Sequence, residues 1–373
     1  MNSGRSATGP GATAGAPPLD QLYFYLSEGC NLACVHCWLS PRHDPAARAA
    51  FLPLELLRSI IAEAKPLGLT GVKLTGGEPL LHPDIHAILD LVHAEQLALT
   101  METNATLCTP EIAANIARQC NPFVSVSLDA THPETHDRLR GVAGAFERTI
   151  QAIRTLVAHQ IPTQIIMSLL RDNVGQLEKM IELAADLGVE SLKFNLVQPI
   201  GRGMSLHAAD RSLSVAEILD LARKVETEIA PHAPVRLYFD CPPAFKPLKR
   251  IASGRDGCSV CGIFSILGVL ATGQYSLCGI GTLVPELIFG QAGKDPLANV
   301  WCNTRILHEI RQGLPGDLTG VCGRCLMKHI CLGSCLAQNR YRTGSIWSPF
   351  WLCAEAEKRG LFPVSRLDCT LSS

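Results

Sequence analysis

From Gln21 onward, short apolar runs alternate with amphipathic stretches of about 12–16 residues, the rhythm of strands in a parallel sheet joined by covering helices. The strand candidates are residues 22–26, 71–75, 97–103, 123–128, 163–168 and 191–195. Between them, Leu54, Leu57, Ile61 and Ala64 fall at helical spacing, as do Leu177, Met180, Ile181 and Ala184. Each set forms an apolar stripe that packs on the sheet. The segment Ser214-Val-Ala-Glu217 matches a capping box and predicts a helix running towards Glu228, read as the passage out of the sheet domain. Six strands predict an α/β chain built on a partial (β/α)6 barrel over residues 20–240. Past about Cys241 the periodicity weakens, Gly and Pro become frequent and cysteines cluster. A smaller cysteine-rich domain held by bound inorganic centres is expected over 241–373.

Composition changes this picture mainly by exclusion. Of 373 residues, 47% are hydrophobic and 18% charged, which supplies a real core and rules out global disorder. The formal charge of −1 comes with Lys and Arg scattered along the chain, so no basic stripe exists for a nucleic-acid backbone. No run of about 18 apolar residues and no apolar signal core appears, which predicts a cytoplasmic protein without a membrane partner. Residues 1–19 read as a disordered tail, because the Gly, Ala, Ser, Thr and Pro of its first seventeen positions offer almost nothing to bury.

Sixteen cysteines in a long chain without a secretion signal, bunched at short spacings, point to metal or cluster ligation rather than disulfides. Cys30, Cys34 and Cys37 stand at spacings of four and three directly after the first predicted strand. That triple would arise by chance roughly 0.03 times per chain of this cysteine content. Three thiolates suit a four-iron cubane with one iron left open; a zinc site completed by His36 is the competing reading. With Thr75-Gly76-Gly77-Glu78-Pro79 after the second strand, these cysteines make the chain resemble the radical S-adenosylmethionine (SAM) superfamily. The resemblance implies a TIM-like partial barrel and an open iron that chelates the methionine end of SAM. Reductive cleavage of SAM to a 5′-deoxyadenosyl radical follows from it. It also assigns cofactor contacts to Gly76, Gly77, Glu78, Pro79 and His36, and to Asn104, Ser127 and Asp129 at the next two strand ends. His36 departs from the family pattern, which usually carries an aromatic residue before the third cysteine.

Cys322, Cys325, Cys331 and Cys335 are followed by Cys353 and preceded by Cys261 and by Gly273-(four residues)-Cys278. This second constellation resembles the SPASM extension of peptide- and protein-maturing members. The resemblance implies two auxiliary four-iron clusters, three in all. Cys322, Cys325, Cys331 and Cys353 would hold the outer one, and Cys261, Cys278, Cys335 and Cys258 the inner one, with Cys241 in reserve for Cys258. A double zinc ribbon is the alternative.

The expected activity is hydrogen abstraction from a ribosomally made peptide or protein, leading to a crosslink, thioether or similar product. Recognition would use a separate leader-binding protein or a direct groove, since the first strand starts by about residue 22. A flavodoxin or ferredoxin would deliver the electron. In sulfatase maturases an Asp follows the cysteine of the Gly-(four)-Cys unit; here Gly279 stands there, which argues against that activity. The sequence singles out no acid, base or hydrogen donor. A radical SAM enzyme acting on a tetrapyrrole, of the haem-pathway decarboxylase type, and a non-enzymatic zinc-binding module are the alternatives.

Overall fold

The computed structural model describes residues 16–41, 43, 50–253 and 261–368. Seven parallel strands run in chain order: β1 (Gln21–Tyr25), β2 (Gly71–Thr75), β3 (Ala98–Thr103), β4 (Cys120–Ser127), β5 (Thr163–Leu169), β6 (Ser191–Leu196) and β7 (Arg236–Phe239). Six lie where the apolar runs predict them. The seventh has only four residues after a Pro-rich loop, too short to carry its own periodicity. Ser214 does cap the Val215–Lys224 helix: its Oγ accepts from Glu217 N (3.3 Å), while Ser214 N donates to Glu217 Oε2 (2.8 Å). That helix leads into β7 and is an internal crossover, not the way out of the sheet.

The chain past Cys241 returns to the same sheet. β8 (Ile266–Val269) pairs in parallel with β1, with Leu22 opposite Leu267, and β9 (Gln274–Ser276) and β10 (Ile288–Gln291) continue it antiparallel. The order is therefore β10-β9-β8-β1-β2-β3-β4-β5-β6-β7. One apolar cluster runs from Leu22, Val72 and Phe194 to Trp301, Leu307 and Leu352 in the C-terminal region. The predicted helix stripes are buried: Leu57, Ile60, Ile61 and Ala64 on one helix, Leu177, Met180, Ile181 and Ala184 on another. Each fully buried Leu or Ile contributes about 1.5–3 kcal/mol. The parallel strands bring the C-terminal ends of β1 to β6, and the loops that follow, to one face. Among the described residues, no helix is long and apolar enough to cross a membrane.

Candidate active site

The loop after β1 turns sharply because Ser27 Oγ donates to Gly29 O (3.0 Å) and accepts from Gly29 N (2.9 Å). Its cysteine segment is then tied down from two sides. Ala33 N and Val35 N donate to Arg140 O and Leu139 O (2.9 and 3.0 Å), at the end of the Pro133–Arg140 helix. Arg202 donates from Nη1 to Cys34 O (3.0 Å) and from its backbone to Cys37 O (3.1 Å).

Donors reach all three thiols of this loop: Leu32 N (3.4 Å) and Asn104 Nδ2 (3.8 Å) at Cys30, Arg140 Nη1 (3.6 Å) at Cys34, and the backbone of Leu39 and Ser40 at Cys37. Burial, and after it the nearby Glu78 charge, push the Cys30 thiol up to about 12, and burial raises Cys37 as well. A bound cation would replace those protons, and the N–H donors would then stabilise sulfur bearing negative charge. Cys30, Cys34 and Cys37 line one cavity of about 200 Å³ together with Gly76 and Gly77. The three thiols and their N–H donors fit a four-iron cubane, with the Gly76–Glu78 turn lining the same cavity beside it.

Gly76 and Gly77 are required by packing against the cysteine loop. Gly76 has φ +133°, and a Cβ on Gly77 would fall 2.0 Å from Gly29 O. Glu78 is 1% exposed and its carboxylate is held by three donors: Thr103 Oγ1 (2.6 Å) and Leu80 N (3.0 Å) on Oε1, Asn104 N (2.8 Å) on Oε2. Burial outweighs these bonds and lifts its pKa to about 7. Oε2 accepts the one bond from Asn104 N, and Glu78 lines the cavity of the cysteines. Pro79 is buried behind it. Asn104 bridges outward, donating to Asn31 Oδ1 (2.9 Å) as well as to Cys30. Ser127 and His36 line the same cavity.

Asp129 does not line it. It is fully buried, pairs through Oδ2 with Arg140 Nε (2.8 Å) and faces His36 Nε2 (3.5 Å), while Oδ1 accepts from Ser168 N (2.9 Å). Burial works to raise its carboxyl, but Arg140 and then His36 hold it below the usual range. Burial lowers His36 to about 4, so the ring is neutral at pH 7. Asp129 thus acts through Arg140, a cavity-lining cation that sequence reading missed. Nothing in the local pattern around Arg140 marks it, because its role depends on the helix end meeting the Cys34 loop.

The C-terminal cysteines fall into two groups. Cys278 is raised first by burial and then by the charges of Cys335 and Cys261. Cys322 and Cys353 hydrogen-bond to each other, and Cys331 is raised to about 12 by burial and by Cys322. Met327 N donates to Cys325 Sγ (3.3 Å). Cys258 lies outside the described residues. Cys241, 6% exposed, shares a cavity of about 480 Å³ with Cys261, Cys331 and Cys335. Among the described residues, no group of three His, Cys, Asp or Glu is drawn together closely enough to hold a single metal ion. At Gly279 an added Cβ would lie 2.2 Å from Tyr25 Cε1, so the tyrosine ring fills the space an Asp would need.

Between the two regions lies a further cavity of about 210 Å³. Its walls run from His36, Trp38 and Ser168 to Cys278 and Cys335.

Residues 24–184 match the radical SAM superfamily. The chain is 31% identical over 346 residues to an AdoMet-dependent heme synthase of Methanosarcina barkeri, covering 89% of this chain and 95% of that one. To the mycofactocin maturase MftC of Mycobacterium tuberculosis it is 27% identical over 324 residues, covering 85% and 78%. Its fold resembles that of Streptococcus suis SuiB bound to precursor peptide SuiA, with TM-score 0.70 at 19% identity over 91% of this chain and 76% of that one.

Proposed function

The chain belongs to the radical SAM superfamily, and from that premise we propose that it modifies a ribosomally made peptide or protein by abstracting hydrogen from a side chain. When bound, the open cluster and SAM supply the 5′-deoxyadenosyl radical, on one electron from a flavodoxin- or ferredoxin-type donor. The chain's own residues divide the remaining work. Cys30, Cys34 and Cys37 hold the cluster, and the Gly76–Pro79 turn with Asn104 and Ser127 receives the cofactor. Arg140, kept charged by Asp129, presents a cation to the cofactor cavity. Cys322, Cys325, Cys331 and Cys353 hold an outer auxiliary cluster, and Cys261, Cys278 and Cys335, with Cys258, an inner one.

The observation that carries the reading is the cavity of about 210 Å³ between the SAM cradle and Cys278/Cys335. A single side chain fits that volume, with the backbone left in the cleft outside. A second reading, a radical SAM enzyme acting on a tetrapyrrole, is favoured by the 31% identity to a heme synthase across 95% of its length. A macrocycle would need the cavity to open well beyond its present size.

One anaerobic experiment separates them. Reconstituted enzyme with SAM and dithionite is given the small-peptide fraction of its host or a porphyrin tetracarboxylate, and 5′-deoxyadenosine and product masses are read. The expected outcome is 5′-deoxyadenosine above background with the peptides, and one peptide losing the mass of two hydrogens. Loss of carbon dioxide from the porphyrin, with peptides inert, would favour the second reading instead.

A further inference from the structure

We infer that the cavity between the two metal regions selects a substrate side chain ending in a cationic hydrogen-bond donor, and that Asp240 reads that charge. The inference rests on the peptide reading and gives it a substrate class.

The walls of this cavity are acceptor-rich. Gln338, only 4% exposed, lines it with an unpartnered buried Oε1, and Asn195 brings a second unpartnered buried oxygen, Oδ1. His36 adds an unpartnered Nδ1. Gln198 has already given its Oε1 to Trp351 Nε1 (2.6 Å). Asp240, just past β7, contributes an acidic side chain, and no ion pair to it is found among the described residues. No Lys or Arg belongs to the lining. The remaining walls, including Trp38, Val197 and Ile280, are apolar and suit an aliphatic stem.

Buried acceptors without donors are costly unless a ligand brings the donors with it. A carboxylate entering here would meet Asp240, and the nearby Lys193 lines the adjoining cavity rather than this one. An ammonium or guanidinium on an alkyl stem would satisfy the oxygens, pair with Asp240, and bring its carbon–hydrogen bonds alongside the SAM cradle. Negative charge on thiolate ligands at Cys278 and Cys335 would favour the same sign of substrate.

Capped pentapeptides identical except for a central Lys, Gln or Glu test this when titrated anaerobically into SAM-bound holoenzyme, with 5′-deoxyadenosine release as a second readout. The Lys peptide is expected to bind about tenfold more tightly than the Glu peptide, the scale of one charge-assisted hydrogen bond. Asp240→Asn should remove the advantage of Lys over Gln, and Asp240→Glu should restore it, both with wild-type iron content. Equal or tighter binding of the Glu peptide, or an unchanged order in Asp240→Asn, overturns the inference while the peptide reading stands. If none of the three peptides binds or stimulates SAM cleavage, both fail, and turnover of a porphyrin tetracarboxylate would then name the replacement.

Discussion

At the scale of single residues, Glu78 is the position where the site and the fold compete for the same atoms. Its carboxylate holds Thr103, Leu80 and Asn104 through three donated bonds, and so fastens the ends of β2 and β3 together. Glu78→Gln turns one acceptor oxygen into an N–H group facing these donors. The expected cost is about 1–3 kcal/mol, the desolvation penalty of a buried polar group left unpaired, seen in anaerobic urea unfolding of the reconstituted protein. The pH dependence has a definite sign. The folded carboxyl keeps its proton up to about 7, while the unfolded one releases it near 4.5. This group's contribution is therefore fully present below 4.5 and lost as pH rises to about 7, a slope that Glu78→Gln abolishes. A turn motif in the sequence marks Glu78 and the next strand end marks Asn104, but that Thr103 and Asn104 donate to Glu78 only the folded chain shows.

Among the elements, β8 has the largest consequence for the chemistry. It lies between β1 and β9, so the loop that carries Cys30 and the turn that carries Cys278 leave strands held on either side of it. The separation of Cys30 from Cys278 is set by sheet pairing rather than by a flexible linker. Gly268 is the contact point, since a Cβ there would fall 2.8 Å from Cys278 Cα. Gly268→Ala is expected to displace Cys278 and lower bound iron by about four per chain. The SAM-perturbed EPR signal of the first cluster should persist. Loss of both signals together would instead mean that β8 supports the whole fold. The weak periodicity past Cys241 hid this strand, because all four of its residues are buried and a short apolar run has no alternation to read.

For the whole molecule, the decisive quantity is the number of iron atoms it holds. Three cubanes predict about twelve irons with matching sulfide per chain. Cys258→Ser should leave the inner cluster short of a thiolate and lower that number, whereas Cys241→Ser should not. The reverse pattern would assign the fourth ligand to Cys241, which lines one cavity with Cys261, Cys331 and Cys335. About four irons with zinc elsewhere would leave the SAM chemistry in place and remove the auxiliary centres.

Local spacing along the chain determines much of this protein. The Cys30–Cys37 triple, the Gly76–Pro79 turn, six strands of the sheet and the Ser214 cap all depend on residues close in sequence, whose backbone preferences and side-chain periods act over a few positions. Other features require distant segments to meet. Arg140 matters because one helix end reaches Cys34, more than a hundred positions away. Asp129 works from behind the cavity because Arg140 and His36 close over it. The acceptors of Asn195, Asp240 and Gln338 share one cavity only once the C-terminal region has packed against the barrel. Burial and charge pairing are properties of that packed arrangement, so only the tertiary structure could decide which polar groups serve the fold and which remain free for a substrate.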